Sequence, residues 1–158
     1  MAEPPRGPPR EPIRVLLVDD DPVFGTLLAG AFADRDGRRP ETASTTAEAL
    51  DRLRARPVDA VVSDCDTARS KRAGVDLYRA VRRRWPSLPF VFFTGTPAVD
   101  LSDAVDLRGD PAVAYVRKEC LPERLRALAQ RVGRAVERDG STDRGRASAA
   151  RAIESFCR

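Results

Sequence analysis

Val58-Asp59-Ala60-Val61-Val62-Ser63-Asp64-Cys65-Asp66 is the stretch whose reading decides the fold. Its apolar centre, Ala60-Val61-Val62, is short and β-branched, the composition of a strand buried on both faces of a parallel sheet. Asp64 then emerges at the carboxyl end of that strand. In open α/β sheets this edge carries the ligand-binding crevice, because strand ends and loops there enclose space that the sheet cannot fill. A carboxylate held at that edge is a candidate nucleophile.

The chain has 158 residues, enough for one domain with a single well-buried core. Its 28 basic residues, nearly all arginine, stand against 24 acidic ones, a net charge of +4 that permits anionic partners without demanding them. Apart from Arg82-Arg83-Arg84 and the Arg69, Lys71, Arg72 cluster the arginines are scattered, which reads as solvated helix faces and predicts no direct DNA binding. Cys65, Cys120 and Cys157 are too few and too irregular for a disulfide framework or a zinc site. Residues 1–12 carry five prolines and no apolar core, which predicts a disordered leader rather than a signal peptide. No later run approaches membrane-spanning length, so a cytoplasmic protein is expected.

Around the central strand the chain alternates. Ile13 to Val18 reads as a buried strand ending in Asp19-Asp20-Asp21-Pro22. Asp21 as N-cap and Pro22 at the first position open a helix whose expected inner face is Val23, Leu27, Leu28 and Ala31. Pro40 to Ser44 is the weakest strand. Thr45 and Glu48 form a capping-box pattern ahead of Ala49, Leu50 and Leu53, and Pro57 stops that helix. After an irregular segment, Thr67 to Ala73, Gly74 precedes a helix with Leu77, Val81 and Trp85 on one stripe. Pro89 to Thr94 is a fourth strand, Val99 to Leu107 a short helix, and Ala112 to Arg117 a fifth strand ending at Lys118. Pro122 starts a last helix with Leu125, Leu128, Ala129, Val132 and Val136 at helical spacing. Five βα units in alternation predict a doubly wound α/β fold with a parallel sheet. From Asp139 the chain turns polar, with one weak amphipathic run of Ala149, Ala152, Ile153 and Phe156.

The carboxyl ends of strands one, three, four and five bring Asp19, Asp20, Asp64, Thr94 and Lys118 to one crevice. Clustered carboxylates repel unless a cation sits among them, and an all-oxygen site with few protein ligands suits Mg²⁺ with several waters. A nearby hydroxyl and ammonium can hold phosphoryl oxygens, so the set is equipment for phosphoryl transfer to a carboxylate. Asp21 needs no such role: it suits the N-terminus of a helix.

Leu16 to Pro22, Val61 to Asp64, Phe93-Thr94-Gly95 and Tyr115 to Lys118 together resemble the receiver domain of two-component response regulators, over about residues 13–138. The wording around Val61 to Asp66 and Arg84 to Gly95 looks closest to receivers of haloarchaea, although the basic balance is not the acidic surface of such an origin. The resemblance implies a flavodoxin-like (βα)5 domain with strand order 2-1-3-4-5, followed by a polar tail at 139–158. It implies that Asp64 accepts a phosphoryl group from a sensor histidine kinase. Asp19 and Asp20 would hold Mg²⁺ with Asp64 and the backbone carbonyl of Asp66. Thr94 and Lys118 would each meet a phosphoryl oxygen, and Tyr115 would swing inward when Thr94 follows the phosphoryl group. The output would be an unknown downstream protein, with a homodimer through the fourth helix, fifth strand and last helix as a further expectation.

Two features depart from the family pattern. Thr67-Ala68 stands where Met-Pro is usual, in a loop to Gly74 that is about two residues longer, and Glu119 follows the lysine where proline is usual. Both flank the site, so a degenerate receiver acting as a phosphorylation-independent binding module is one alternative. Asp64-Cys65-Asp66-Thr67 also resembles the nucleophile loop of haloacid-dehalogenase-like phosphatases. There, however, the nucleophile strand comes first and an acidic pair follows the lysine.

Overall fold

The computed structural model describes residues 14–32, 39–67, 70–95, 98–110 and 112–118. The expected leader, the last helix from Pro122, the polar tail, Arg69, Cys120 and Cys157 lie outside the described residues. In chain order the elements are β1 (Arg14–Val18), α1 (Pro22–Phe32), β2 (Arg39–Ala43), α2 (Thr46–Ala55), β3 (Ala60–Ser63), α3 (Ala73–Arg84), β4 (Phe90–Thr94), α4 (Ala98–Ser102) and β5 (Val113–Arg117). The strands form one sheet, ordered β2-β1-β3-β4-β5, with every neighbouring pair parallel. This is the doubly wound, flavodoxin-like order expected from the alternation and the resemblance.

Successive strand residues face opposite sides, as the twofold period of a strand requires. Leu16, Val18, Val61, Phe90, Phe92 and Val113 pack with Ala49, Leu53, Leu77, Tyr78, Val81 and Leu101 on one face. Val15, Leu17, Ala60, Val62, Val91, Phe93, Ala114 and Val116 pack with Leu28 on the other. Phe90, Phe92 and Phe93 are the largest fully buried side chains among the described residues, so β4 carries much of the apolar area in both layers.

Local signals behave as their chemistry dictates. Asp21 Oδ1 accepts the Val23 amide at 2.9 Å, and the Asp21 carbonyl takes the Gly25 amide at 3.0 Å. The Thr45 hydroxyl accepts the Glu48 amide at 3.1 Å, while the Glu48 carboxylate accepts the amide of Ser44 at 2.9 Å. Gly74 is required by packing: its amide donates to the Cys65 carbonyl at 2.9 Å. A Cβ there would overlap the Asp64 carbonyl oxygen and stand 2.7 Å from Cys65 Cα. The first turn of α3 therefore rests directly on the backbone of the loop that carries Asp64.

Three expectations are corrected. On α1, Val23 and Leu27 are 63% and 50% exposed, whereas Leu28 is buried and Phe24 and Ala29 pack on the core. The helix is apolar around most of its circumference, so the 23/27 and 24/28 rows have the same spacing and periodicity cannot choose between them. The Asp21 cap and the Phe24 contact with Phe93 set the phase. The helix after β4 is short: α4 ends at Ser102, and the chain continues in turns in which Asp106 Oδ1 accepts the Gly109 amide at 2.8 Å. An aspartate bonding its neighbours' backbone competes with helix. The third correction is Arg82, read as part of a solvated face, which is only 15% exposed at its side chain. Its Nε donates to Asp110 Oδ2 at 2.5 Å, Nη1 to the Leu88 carbonyl at 2.7 Å and Nη2 to the Ala112 carbonyl at 2.8 Å. Arg83 and Arg84 are exposed as expected.

Candidate functional site at the carboxyl edge of the sheet

Asp19, Ser63 and Thr94 are the polar residues buried among the described residues, and all three stand at the carboxyl ends of β1, β3 and β4. Buried polar groups cost free energy unless they are used, so their confinement to one edge marks it. The sheet itself sets the spacing. Val18 is paired with Ser63, and the ladder runs one step further, with the Asp64 amide donating to the Val18 carbonyl at 2.9 Å. The Asp19 amide donates to the Ala43 carbonyl at 3.1 Å. Asp19 and Asp64 therefore leave adjacent strands at the same level.

Carboxylate oxygens of Asp19, Asp20 and Asp64 lie within 4.8 Å of one another. On the far side of β4, the Lys118 amide bonds the Thr94 carbonyl at 3.1 Å, which returns the lysine toward the centre of the edge. Its ammonium donates to Asp19 Oδ2 and to Asp64 Oδ2, each at 2.7 Å. Asp64 Oδ1 accepts the Asp66 amide at 3.3 Å, and Asp19 Oδ1 accepts the Asp21 amide at 2.9 Å. The Asp66 carboxylate is not part of the cluster, so its place in the expected metal set rests on its backbone carbonyl alone.

Burial lifts the Asp19 pKa above its ordinary value, more than its bonds to Lys118 and the Asp21 amide bring it down. For Lys118 burial acts downward, but the hydrogen bonds to Asp19 and then Asp64 outweigh it and leave the ammonium held above its usual range. Three hard oxygen donors at this spacing fit a divalent cation such as Mg²⁺. The lysine ammonium meanwhile compensates two of those carboxylates.

The other expected residues fall nearby. Thr94 is buried at the end of β4, and Tyr115 is partly buried on β5 against the core. Cys65 is a buried thiol, as a small filler should be. Lys71 and Arg72 line a different crevice, with Cys65, Asp66, Asp100 and Asp103, on the α4 side of the loop. Sequence reading overlooked Phe24: the Lys118 Nζ lies 4.3 Å from the centroid of its ring. The signal available was its place two residues past Pro22, inside the first turn of a helix that begins at the carboxylates. No described helix is long and apolar enough to cross a membrane.

Known proteins resemble this chain in sequence and in fold. An NtrX-like response regulator of Rickettsia bellii is 28% identical over 119 residues, 75% of this chain and 24% of that protein. The transcriptional regulatory protein TcrX of Mycobacterium tuberculosis is 32% identical over 128 residues, 78% of this chain and 52% of that protein. The chain thus spans about a quarter of the length of the NtrX-type relatives and about half of TcrX. The crystal structure of the NtrX receiver domain from Brucella abortus superposes with a TM-score of 0.62 at 26% identity, covering 74% of this chain and 95% of that one. Residues 15–130 match the model of the response regulator receiver domain, and with its fold and acidic edge the chain belongs to that family.

Proposed function

We propose that the chain is a phosphoacceptor switch, possessing in Asp64 the residue that takes a phosphoryl group from a phosphohistidine of a sensor kinase. The observation that carries this reading is the shared ammonium: Lys118 bridges Asp64 and Asp19 at 2.7 Å each, with Asp20 completing the cluster. An Asp64 oxygen attacks phosphorus, the P–N bond breaks as the new P–O bond forms, and the electron pair returns to the imidazole nitrogen. Lys118 exchanges an Asp64 oxygen for a phosphoryl oxygen, so its positive charge stays beside the negative charge being transferred. A magnesium ion held by Asp19, Asp20, Asp64 and the Asp66 carbonyl would neutralise the remaining phosphoryl charge.

Thr94 closes on another phosphoryl oxygen, and Tyr115 moves into the space this opens, changing the face around β5 that a downstream protein reads. Water attack on phosphorus breaks the P–O bond to Asp64, releases inorganic phosphate and restores the carboxylate, with Asp66 two residues on beside that water. The setting is the cytoplasm, where histidine kinases present their phosphodonor. A second reading, a binding module that is never phosphorylated, is favoured by the longer loop between Thr67 and Gly74.

Incubation with acetyl phosphate and Mg²⁺, followed by intact mass, tests these readings. One phosphoryl adduct, lost in Asp64→Asn, is expected. No adduct favours the binding module, steady turnover of acetyl phosphate without an adduct favours a phosphatase, and an adduct that survives Asp64→Asn overturns the assignment of Asp64.

A further inference from the structure

Among the described residues the Lys118 ammonium has neighbours in three directions, two of them carboxylates. Asp19 Oδ2 and Asp64 Oδ2 each accept one of its hydrogens at 2.7 Å. The third neighbour is Phe24, whose ring centroid lies 4.3 Å from Nζ. That ring is itself fixed: it meets Phe93 edge to face, with centroids 6.4 Å apart at 65°, and Phe93 is 1% exposed in the strand that ends at Thr94. Asp21 caps the same helix one turn earlier, so the cap that orders the acidic loop also places the ring.

We propose that Phe24 is a positioning residue for Lys118, holding the ammonium at the edge of the acidic cluster through the face of its ring. This rests on the reading of Lys118 as the partner of the incoming phosphoryl group. An aromatic face attracts a cation without offering a lone pair, and the attraction grows where water is excluded. A third carboxylate or hydroxyl here would compete with the phosphoryl oxygen for the ammonium. The ring does not. Lys118 can therefore let go of an Asp64 oxygen and take a phosphoryl oxygen while remaining over Phe24. Shape alone would be served by leucine, which lacks the negative face.

Phe24 is replaced site-specifically by phenylalanines of increasing fluorination, which withdraw charge from the ring face at nearly constant shape, and separately by Leu and Tyr. Two readouts are taken: the Lys118 ε-methylene chemical shifts in the resting, metal-free protein, and the phosphorylation rate with acetyl phosphate and Mg²⁺, resolved into saturating rate and half-saturating concentration. In the unsubstituted protein the methylene shifts should lie upfield from the ring current. Phe24→Leu should abolish that displacement and lower the saturating rate by about three- to tenfold, Phe24→Tyr should retain both, and the rate should fall stepwise with fluorination. A rate indifferent to fluorination, equal in Phe24→Leu, or methylene shifts that do not move in Phe24→Leu, would reduce Phe24 to a packing wall. Should Phe24→Leu fail to fold, the fluorinated series alone decides. A chain that takes no phosphoryl group at all would refute the function proposed for Asp64, whereas the methylene shifts would still judge the ring contact.

Discussion

Arg82→Met should be among the most damaging single changes away from the acidic edge. The substitution keeps an unbranched apolar stem but removes the guanidinium that reaches Asp110, the Leu88 carbonyl and the Ala112 carbonyl. Asp110 is 14% exposed at its side chain and would be left with the Tyr78 hydroxyl at 2.5 Å and the Ala112 amide at 2.8 Å. Breaking a buried ion pair by deleting one partner costs about 3–5 kcal/mol, chiefly the penalty of the charge left behind. Residual solvent contact places the expected loss near the low end, about 3 kcal/mol, against a total of about 5–15 kcal/mol for an ordinary domain. That corresponds to a fall in Tm of roughly 10–15 °C for a domain of about 100 residues.

The pH dependence separates this cause from simple loss of packing. In the native protein burial pushes the Asp110 carboxyl up, but the bonds from Arg82, Tyr78 and the Ala112 amide, with the Arg82 charge, hold it below its ordinary value. A depressed carboxylate stabilises the fold above its unfolded pKa, and that contribution is lost as pH falls through its folded pKa. Without Arg82, burial is left less opposed and the folded pKa rises, reversing the slope. The gap between variant and parent should therefore narrow from neutral pH toward about pH 4, where Asp110 can protonate. Urea unfolding at both pH values measures it, and Arg82→Met with Asp110→Asn should recover part of the loss in a double-mutant cycle. A loss under about 1 kcal/mol at neutral pH, or one independent of pH, would refute the reasoning.

Gly74→Ala should cost about 1–3 kcal/mol by overpacking and should also slow phosphorylation, because the new methyl can be accommodated only by moving α3 or the Asp64 backbone; normal stability with normal phosphorylation would show that α3 yields freely. Lys118→Met should tighten Mg²⁺ binding by about tenfold, a modest share of the roughly 4 kcal/mol that charges 4 Å apart exchange at an effective dielectric of 20, while slowing phosphorylation; calorimetric titration showing unchanged or weaker Mg²⁺ affinity would contradict it. Burial, followed by the bond to Asp110, pushes the Tyr78 hydroxyl up to about 12. Its phenolate absorbance should thus appear near that pH and vanish in Tyr78→Phe, and the stability it confers should be lost as pH rises from about 10, its unfolded value, toward 12.

What could be read from the chain alone was whatever depends on neighbours in sequence. The run Ala60-Val61-Val62 ending in Asp64, the proline stops, the Thr45 cap and the five-fold alternation specify a parallel sheet with Asp19, Asp20, Asp64, Thr94 and Lys118 at its carboxyl edge, because side-chain period and cap chemistry are local. What only the tertiary structure decided was direction. α1 is apolar on two adjacent rows, and the choice of Phe24 and Leu28 over Val23 and Leu27 was made by the ring contact with Phe93 across the sheet. Arg82 carries no mark distinguishing it from Arg83 and Arg84. It turns inward because Asp110 and Ala112, 28 and 30 residues on, meet Leu88, six residues on, and together leave acceptors that only a guanidinium at that point of α3 can satisfy. The same holds at the acidic edge: sequence could bring Lys118 to the crevice, but its seat between Asp19, Asp64 and the face of Phe24 exists only once β1, β3, β5 and α1 are packed, since pairing of charges and rings is set by distances in space and not by spacing along the chain.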